Sequence, residues 1–225
     1  MGRSGENFLS VLDNDKISVF CAYDKDYNVY RAKIHRENLF KDYCKDIKEC
    51  VFMNQIHSNQ VENYDENLGH FSCDGLISVR KNTALCVLSA DCLPLLLWNE
   101  SGVIAALHSG RKGSFGNILK NCVDKIHSLY PNSYHYDFHL FISVGICAKN
   151  YEIDGEVLEF ALKNFKDFVR DKKLDLKALV KAQARELGIK NIIDIGICSF
   201  ENKNFFSYRR EKSTQRFASV IVLKA

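Results

Sequence analysis

The 225-residue chain is poor in proline, with Pro94 and Pro131 alone, and has one tryptophan and two methionines. No Pro-rich, Gly/Ser-rich or low-complexity tract marks a linker, and no internal repeat is present, so one continuous domain over residues 1–225 is the simplest division. No apolar run approaches the roughly 20 residues needed to cross a bilayer, and a membrane partner is not expected. The start, "MGRSGENFLSVLDNDK", lacks the apolar segment of a secretory signal. No CxxC pair or disulfide-like spacing occurs among the nine cysteines. These features together suggest reduced thiols in a cytoplasmic protein. No long basic block is present either. The net charge of +3 is spread along the chain, which argues against nucleic acid as the main partner.

At 46% hydrophobic and 26% charged residues, the chain can bury a substantial core. Short runs rich in Val, Ile and Leu predict strands over 16–23, 49–56, 74–79, 84–89, 94–98, 102–108, 139–146, 192–199 and 218–223. Several lie too close together for an intervening helix, which favours antiparallel or mixed pairing. Helical periodicity appears over 116–129 and over 155–171, the latter with Asp154 as a candidate N-cap. A third helix, "LKALVKAQAREL", is capped by Asp175 and stopped by Gly188. Residues 36–47 suggest a fourth. The expected class is α+β: an α/β sandwich with mixed sheets and three to four helices in one compact domain.

Three chemistry-bearing residues, His57, Cys92 and His108, each sit at or just beyond the end of a predicted strand. A thiolate and two neutral imidazoles suit Zn²⁺ or copper, and three protein ligands leave a position for water or substrate. The spacing reads alternatively as a core thiol with two hydrogen-bonded histidines. Pro94 restrains the turn after Cys92, and Asp91 could orient a ligand histidine, act as a general base or cap a turn. The stretch "HSGRKGSFGN" is a glycine-punctuated loop ahead of a helix, carrying Arg111 and Lys112, of the kind that attracts anions. The stretch "NFFSYRREKSTQRF" sets aromatic rings beside Arg209, Arg210 and Arg216, which suits phosphate and bases or, alternatively, a solvated basic edge.

Taken in order, these pieces resemble the YfiH-like (DUF152) family, labelled laccase-like multicopper polyphenol oxidoreductases and also described as purine nucleoside phosphorylases. The resemblance runs from about Val51 to Leu223. It rests on Gln55-Ile56-His57-Ser58, Cys73-Asp74-Gly75-Leu76, Ala90-Asp91-Cys92-Leu93-Pro94, His108-Ser109-Gly110-Arg111-Lys112-Gly113, Phe205 to Arg210 and Thr214-Gln215-Arg216. The chain departs from the family pattern where Trp-Arg becomes Arg111-Lys112, where only Ile146, Tyr151 and Glu152 match in "SVGICAKNYE", and at Val180 and Gln215.

The resemblance implies that His57, Cys92 and His108 bind zinc, with Asp91 also in the catalytic group. It further implies that Gln55, Lys112, Arg209 and Arg210 are the residues to test for substrate and phosphate. The partners implied are a small-molecule purine nucleoside and phosphate, acting on a monomer or small homo-oligomer. The expected reaction is phosphorolysis of adenosine or inosine to free base and ribose 1-phosphate, with adenosine deamination also allowed. Two other readings remain: a copper polyphenol oxidase, for which seven histidines without a His-x-His pair are a thin supply, and a Cys92-dependent hydrolase acting on cell-wall precursors.

Overall fold

The computed structural model describes residues 8–23, 40, 43–65, 69–131 and 138–225. The apolar runs of the first half form β1 (Phe8–Asp13), β2 (Ile17–Ala22), β3 (Glu49–Phe52), β4 (Val61–Asn63), β5 (Gly75–Ser78), β6 (Thr83–Ser89), β7 (Leu93–Trp98) and β8 (Ile104–Ser109). Helices then enter: α1 (Arg111–Phe115), α2 (Ile118–Leu129), α3 (Gly155–Asn164), α4 (Leu176–Glu186) and α5 (Tyr208–Glu211). Between them lie β9 (His139–Ile142), the short pair β10 (Val169–Arg170) and β11 (Lys173–Leu174), then β12 (Asn191–Asp194) and β13 (Phe217–Leu223).

Two mixed sheets carry the structure. The first has the order β1-β2-β13-β6-β3 and the second β12-β9-β7-β8-β5-β4. In each, antiparallel pairs fill the centre, and parallel pairs sit at an edge: β3 with β6, β4 with β5, and β12 with β9. Because side chains alternate across a strand, each central strand serves two layers. On β7, Leu96 and Trp98 face the first sheet, while Leu93, Leu95 and Leu97 face α2 and α4. On β13, Ile221 and Leu223 enter the layer between the sheets, while Ala218, Val220 and Val222 meet Phe40, Cys44 and Ile47 on the outer face. This two-sided burial explains why "LPLLLW" and "FASVIVL" read as unbroken apolar runs.

The expected α/β sandwich with mixed sheets is therefore what the chain forms, with differences at element ends. Three predicted strands, 49–56, 139–146 and 192–199, stop at Phe52, Ile142 and Asp194, and their remaining residues turn into loops. Strands β1 and β4 and the β10–β11 hairpin were not expected. The helix predicted over 155–171 ends at Asn164, and a single 3-10 turn leads into that hairpin, whose turn residues Asp171 and Lys172 both have positive φ, 50° and 59°. Asp154 sits at the N-cap of α3 but makes no capping bond through its side chain, whereas Asp175 accepts from Ala178 N–H at 2.9 Å as expected. Five helices are present among the described residues because α1 and α5 are single-turn helices in stretches that read as loops. Of the helix expected over 36–47, residues 36–39, 41 and 42 lie outside the described residues, while Phe40 and Tyr43 are helical and 44–47 are not.

Phe141 is fully buried between the sheets. Phe141→Ala is expected to cost about 3–5 kcal/mol, read as a lower urea midpoint with an unchanged slope.

Candidate metal and substrate site

The chain crosses from the first sheet to the second in three residues, Ala90-Asp91-Cys92, between β6 and β7. The crossing requires an unusual backbone: Asp91 has φ of 103°. It is braced on every side. Ile146 N–H donates to the Asp91 carbonyl at 2.8 Å, and Ser89 Oγ donates to the Cys92 carbonyl at 2.6 Å. Gly145 packs against the crossing so closely that a Cβ there would lie 3.1 Å from the Asp91 carbonyl oxygen and 3.2 Å from that of Cys92. Pro94, second in β7, stands opposite His108 of β8 in the antiparallel register. Cys92 and His108 are thus fixed to neighbouring strands at the same end of the sheet.

His57 arrives from a third direction, on the loop after β3, with φ of 57°. What holds it there is Asp74, the residue before β5. The fully buried Asp74 carboxylate accepts from the N–H groups of His57 at 3.0 Å and Ser58 at 2.6 Å, from Ser58 Oγ at 2.8 Å, and lies 2.7 Å from His108 Nδ1. One carboxylate therefore fixes the loop carrying one histidine and the ring of the other. With Nδ1 donating to Asp74, His108 presents Nε2 to a ligand, the usual second partner of a metal-binding histidine.

The ligand atoms of His57, Cys92 and His108 all lie within 4.8 Å of one another, and the two imidazole rings stand at 85° with centroids 4.9 Å apart. Gly110 completes the cradle: a Cβ there would come within 2.8 Å of Cys92 Sγ. His108 is buried, Cys92 half-buried and His57 exposed, so the group opens on one side only. The three residues can hold a metal ion as expected, and the donor set of one sulfur and two imidazole nitrogens fits a soft or borderline cation.

The electrostatics separate Cys92 from core thiols such as Cys73 and Cys21. Burial pushes its pKa up, but the His108 charge and hydrogen bonds from both histidines outweigh burial and bring it down to about 6. Burial lowers His108 in turn, while the Cys92 thiolate and Asp74 overcome this and raise it to about 9. Without metal, the pair is therefore thiolate and imidazolium at neutral pH. Burial instead pushes Cys73 up to about 11 and Cys21 up to about 12. These thiols behave as the small hydrophobes expected from the sequence.

Two clefts meet at His57, Cys92, Tyr151 and Arg209. One, of about 650 Å³, continues over Met53, Gln55, Leu88 and Tyr208; the other, of about 830 Å³, over Arg111, Lys112, Glu152 and Asp154. Arg209 spans the divide, with its guanidinium 5.4 Å from the Tyr151 ring centroid and donating to the Glu152 carbonyl at 3.0 Å. Gln55 lines the first cleft, yet its amide is engaged: Nε2 donates to the Leu88 carbonyl at 2.8 Å and Oε1 accepts from Leu88 N–H at 2.9 Å.

One sequence expectation needs correction and another narrows. Arg210 lines neither cleft. Its guanidinium donates to the carbonyls of Ser199, Phe200 and Phe205 at 2.7–2.9 Å, so it braces the loop before α5 and has no free fork for phosphate. Of the three roles open to Asp91, its contacts are those of a turn cap, and the ligand histidine is oriented by Asp74 instead. The Asp91 carboxylate accepts from Ser199 Oγ at 2.7 Å and from Arg209 N–H at 2.6 Å, which caps the first turn of α5 from another segment. Asp74 carried no role in the sequence reading. Its signal was an acid placed directly before a wholly buried strand, where an unpaired charge is costly.

The mixed-sheet α/β sandwich matches the fold of known structures. A Neisseria meningitidis protein of the DUF152 family superposes with a TM-score of 0.83 over 97% of this chain and 100% of its own, at 22% identity. YfiH of Bacillus licheniformis gives 0.79 over 96% and 99%, at 20% identity. The chain belongs to the family described as multi-copper polyphenol oxidoreductase laccase, which matches residues 21–224. A Campylobacter jejuni protein named purine nucleoside phosphorylase is 69% identical over 225 residues, covering all of both chains. A Clostridium acetobutylicum protein of the same name is 33% identical over 186 residues, 79% of this chain and 78% of its own.

Two outcomes follow from this geometry. Asp74→Asn keeps the size of the side chain but removes the charge that holds His108, and metal affinity is expected to fall about 10–100-fold, measured by competition with a chromophoric chelator. In the metal-free protein, alkylation of Cys92 by iodoacetamide is expected to be half-maximal near pH 6 and to slow as pH falls further, because the thiolate is the nucleophile. A midpoint near the ordinary thiol value of 9.0 would contradict the ion pair.

Proposed function

We propose that the chain is a zinc-dependent purine nucleoside phosphorylase, converting adenosine or inosine and phosphate to the free base and ribose 1-phosphate. The observation that carries this reading is the full-length 69% identity to the Campylobacter jejuni protein of that name. The site supports it in kind. Clefts of about 650 and 830 Å³ are in the range that encloses small molecules, and they join at the metal-capable group.

His57, Cys92 and His108 are the residues that would hold zinc, and zinc when bound supplies a fixed positive charge beside the reacting groups. The remaining roles belong to the chain's own side chains. In phosphorolysis a phosphate oxygen bonds to the ribose anomeric carbon, the bond from that carbon to the purine nitrogen breaks, and the departing base takes up a proton. Lys112 and Arg209, with Arg111 beside them, place positive charge along the second cleft, where phosphate is best received. The first cleft, with Met53, Leu88 and the exposed ring of Tyr208, offers apolar and aromatic surface for a purine. Burial and the Cys92 thiolate push the Tyr151 phenol up, so it stays a hydrogen-bond donor where the clefts meet. Asp91 acts as a positioning residue, holding Arg209 by its backbone.

The family description invites copper oxidation as a second reading. Among the described residues, the other group of metal-capable side chains contains no histidine, which leaves a multicopper centre without its further ligands. The thiolate–imidazolium pair favours a Cys92 hydrolase only in a metal-free protein, since a ligated thiolate is a poor nucleophile.

The test is turnover of inosine and adenosine by the purified protein, with and without phosphate. Phosphate-dependent base release is expected, abolished by chelation and by His57→Ala. Arg209→Ala is expected to raise the KM for phosphate about 10–100-fold, the loss of one or two charge-assisted hydrogen bonds. Ammonia release from adenosine without phosphate would add the deaminase activity. Zinc bound with no phosphate-dependent base release would overturn the proposal.

A further inference from the structure

A second cluster of soft ligands lies apart from the Cys-His-His group, and the proposed reaction makes no use of it. Cys147 sits on the loop after β9 that leads to Tyr151, and Cys198 on the loop after β12 that leads to α5. An isolated parallel bridge joins the loops at Gly145 and Cys198, reinforced by Ser199 N–H donating to the Gly145 carbonyl at 3.0 Å. This pairing brings Cys147 Sγ, Cys198 Sγ and a Glu201 carboxylate oxygen within 4.8 Å of one another.

The space among these three atoms is filled by a hydrogen-bond donor. Asn150 Nδ2 lies 3.2 Å from Cys147 Sγ, 3.8 Å from Cys198 Sγ and 3.0 Å from Glu201 Oε1. Lys149 Nζ adds an ion pair to the same Glu201 oxygen at 3.0 Å. Cys147 N–H donates to Cys198 Sγ at 3.2 Å, so that sulfur is used as an acceptor. The amide nitrogen of Asn150 occupies the place where two sulfurs and a carboxylate converge, which is the place a cation would take.

We infer that Cys147, Cys198 and Glu201 form a second metal site, a structural clamp for a thiophilic divalent ion such as Zn²⁺. For an ion to enter, the Asn150 side chain withdraws from that place and turns its amide so that the oxygen, not the nitrogen, faces the ion. It then supplies a fourth ligand beside two sulfurs and a carboxylate, giving the closed four-coordination that structural zinc sites share. Thiolates exclude the hard cations Mg²⁺ and Ca²⁺ from this role. Lys149 is 78% exposed and can release Glu201 to the ion without leaving water.

The placement says what the clamp would do. Its two loops end in the Tyr151 wall and in α5. Ser199, next to Cys198, donates to the Asp91 carboxylate that also receives Arg209 N–H. An ion bridging the loops therefore fixes the frame that carries Tyr151 and Arg209, without touching substrate. This inference is independent of the reaction proposed above.

The test uses the full chain carrying Cys92→Ser, which disables the first group and isolates the second. Titration of the metal-free variant with Co²⁺ is expected to bind one ion per chain with the intense visible absorption and sulfur-to-cobalt charge transfer of a tetrahedral thiolate site. Adding Cys198→Ser should abolish both signals while circular dichroism shows the fold intact. In the Cys92→Ser chain, Zn²⁺ should protect Cys147 and Cys198 together from iodoacetamide, read by mass spectrometry. A folded Cys92→Ser chain that binds no Co²⁺, or alkylation of both cysteines unchanged by Zn²⁺, would overturn the inference, as would a Cys147–Cys198 disulfide that forms in air equally with and without Zn²⁺.

Discussion

The site depends on one buried carboxylate. Asp74 is wholly enclosed, and a charge in such a place is tolerated only when its lone pairs are met. They are met by the backbone and hydroxyl of the His57 loop on one side and the His108 ring on the other. Burial raises the Asp74 pKa, but these hydrogen bonds and the His108 charge bring it below the ordinary carboxylate value. The same contacts that stabilise the ion also fix the geometry. Two histidines 51 residues apart in sequence, His57 on a loop and His108 on β8, are set around Cys92 because both answer to Asp74.

The third member is set by topology. Cys92 lies where the chain leaves one sheet for the other, a crossing too short to relax and held by Gly145, Ile146 and Ser89. Both His57 and Asp91 sit at positive φ, a conformation that costs energy in residues other than glycine and persists only where surroundings enforce it. Two of the seven such non-glycine positions among the described residues thus lie at the group that can hold a metal. Graded exposure, from buried His108 to exposed His57, then leaves one open side facing the two clefts. The fold thus supplies the metal-capable group, one cleft with Lys112 and Arg209, and a second beside it that adds Met53, Leu88 and Tyr208.

Much of this was legible in the sequence, and the rest was hidden for identifiable reasons. The central strands β6, β7, β8 and β13 read correctly because burial on both faces leaves an unbroken apolar run. The predicted strands over 49–56, 139–146 and 192–199 overran because apolar residues continue past the sheet: Met53 and Ile146 are apolar in order to line a cleft, not to pair. The convergence of His57, Cys92 and His108 followed from the motif resemblance, since spacing alone favours a core thiol with two hydrogen-bonded histidines. Arg210 was misplaced because a guanidinium facing solvent and one saturated by three carbonyls share the same letters. Asp74 stood within a quoted motif, but only the three-dimensional register of β5 against β8 shows which histidine it meets.

The most direct measurement is anomalous diffraction at the zinc edge from crystals of the zinc-loaded protein. The account predicts a peak between His57, Cys92 and His108, with one zinc–sulfur distance of about 2.3 Å, two zinc–nitrogen distances of about 2.0–2.1 Å, and His108 Nδ1 still bonded to Asp74. Zinc bound elsewhere with this group empty, or His108 turned away from Asp74 in the loaded protein, would contradict it.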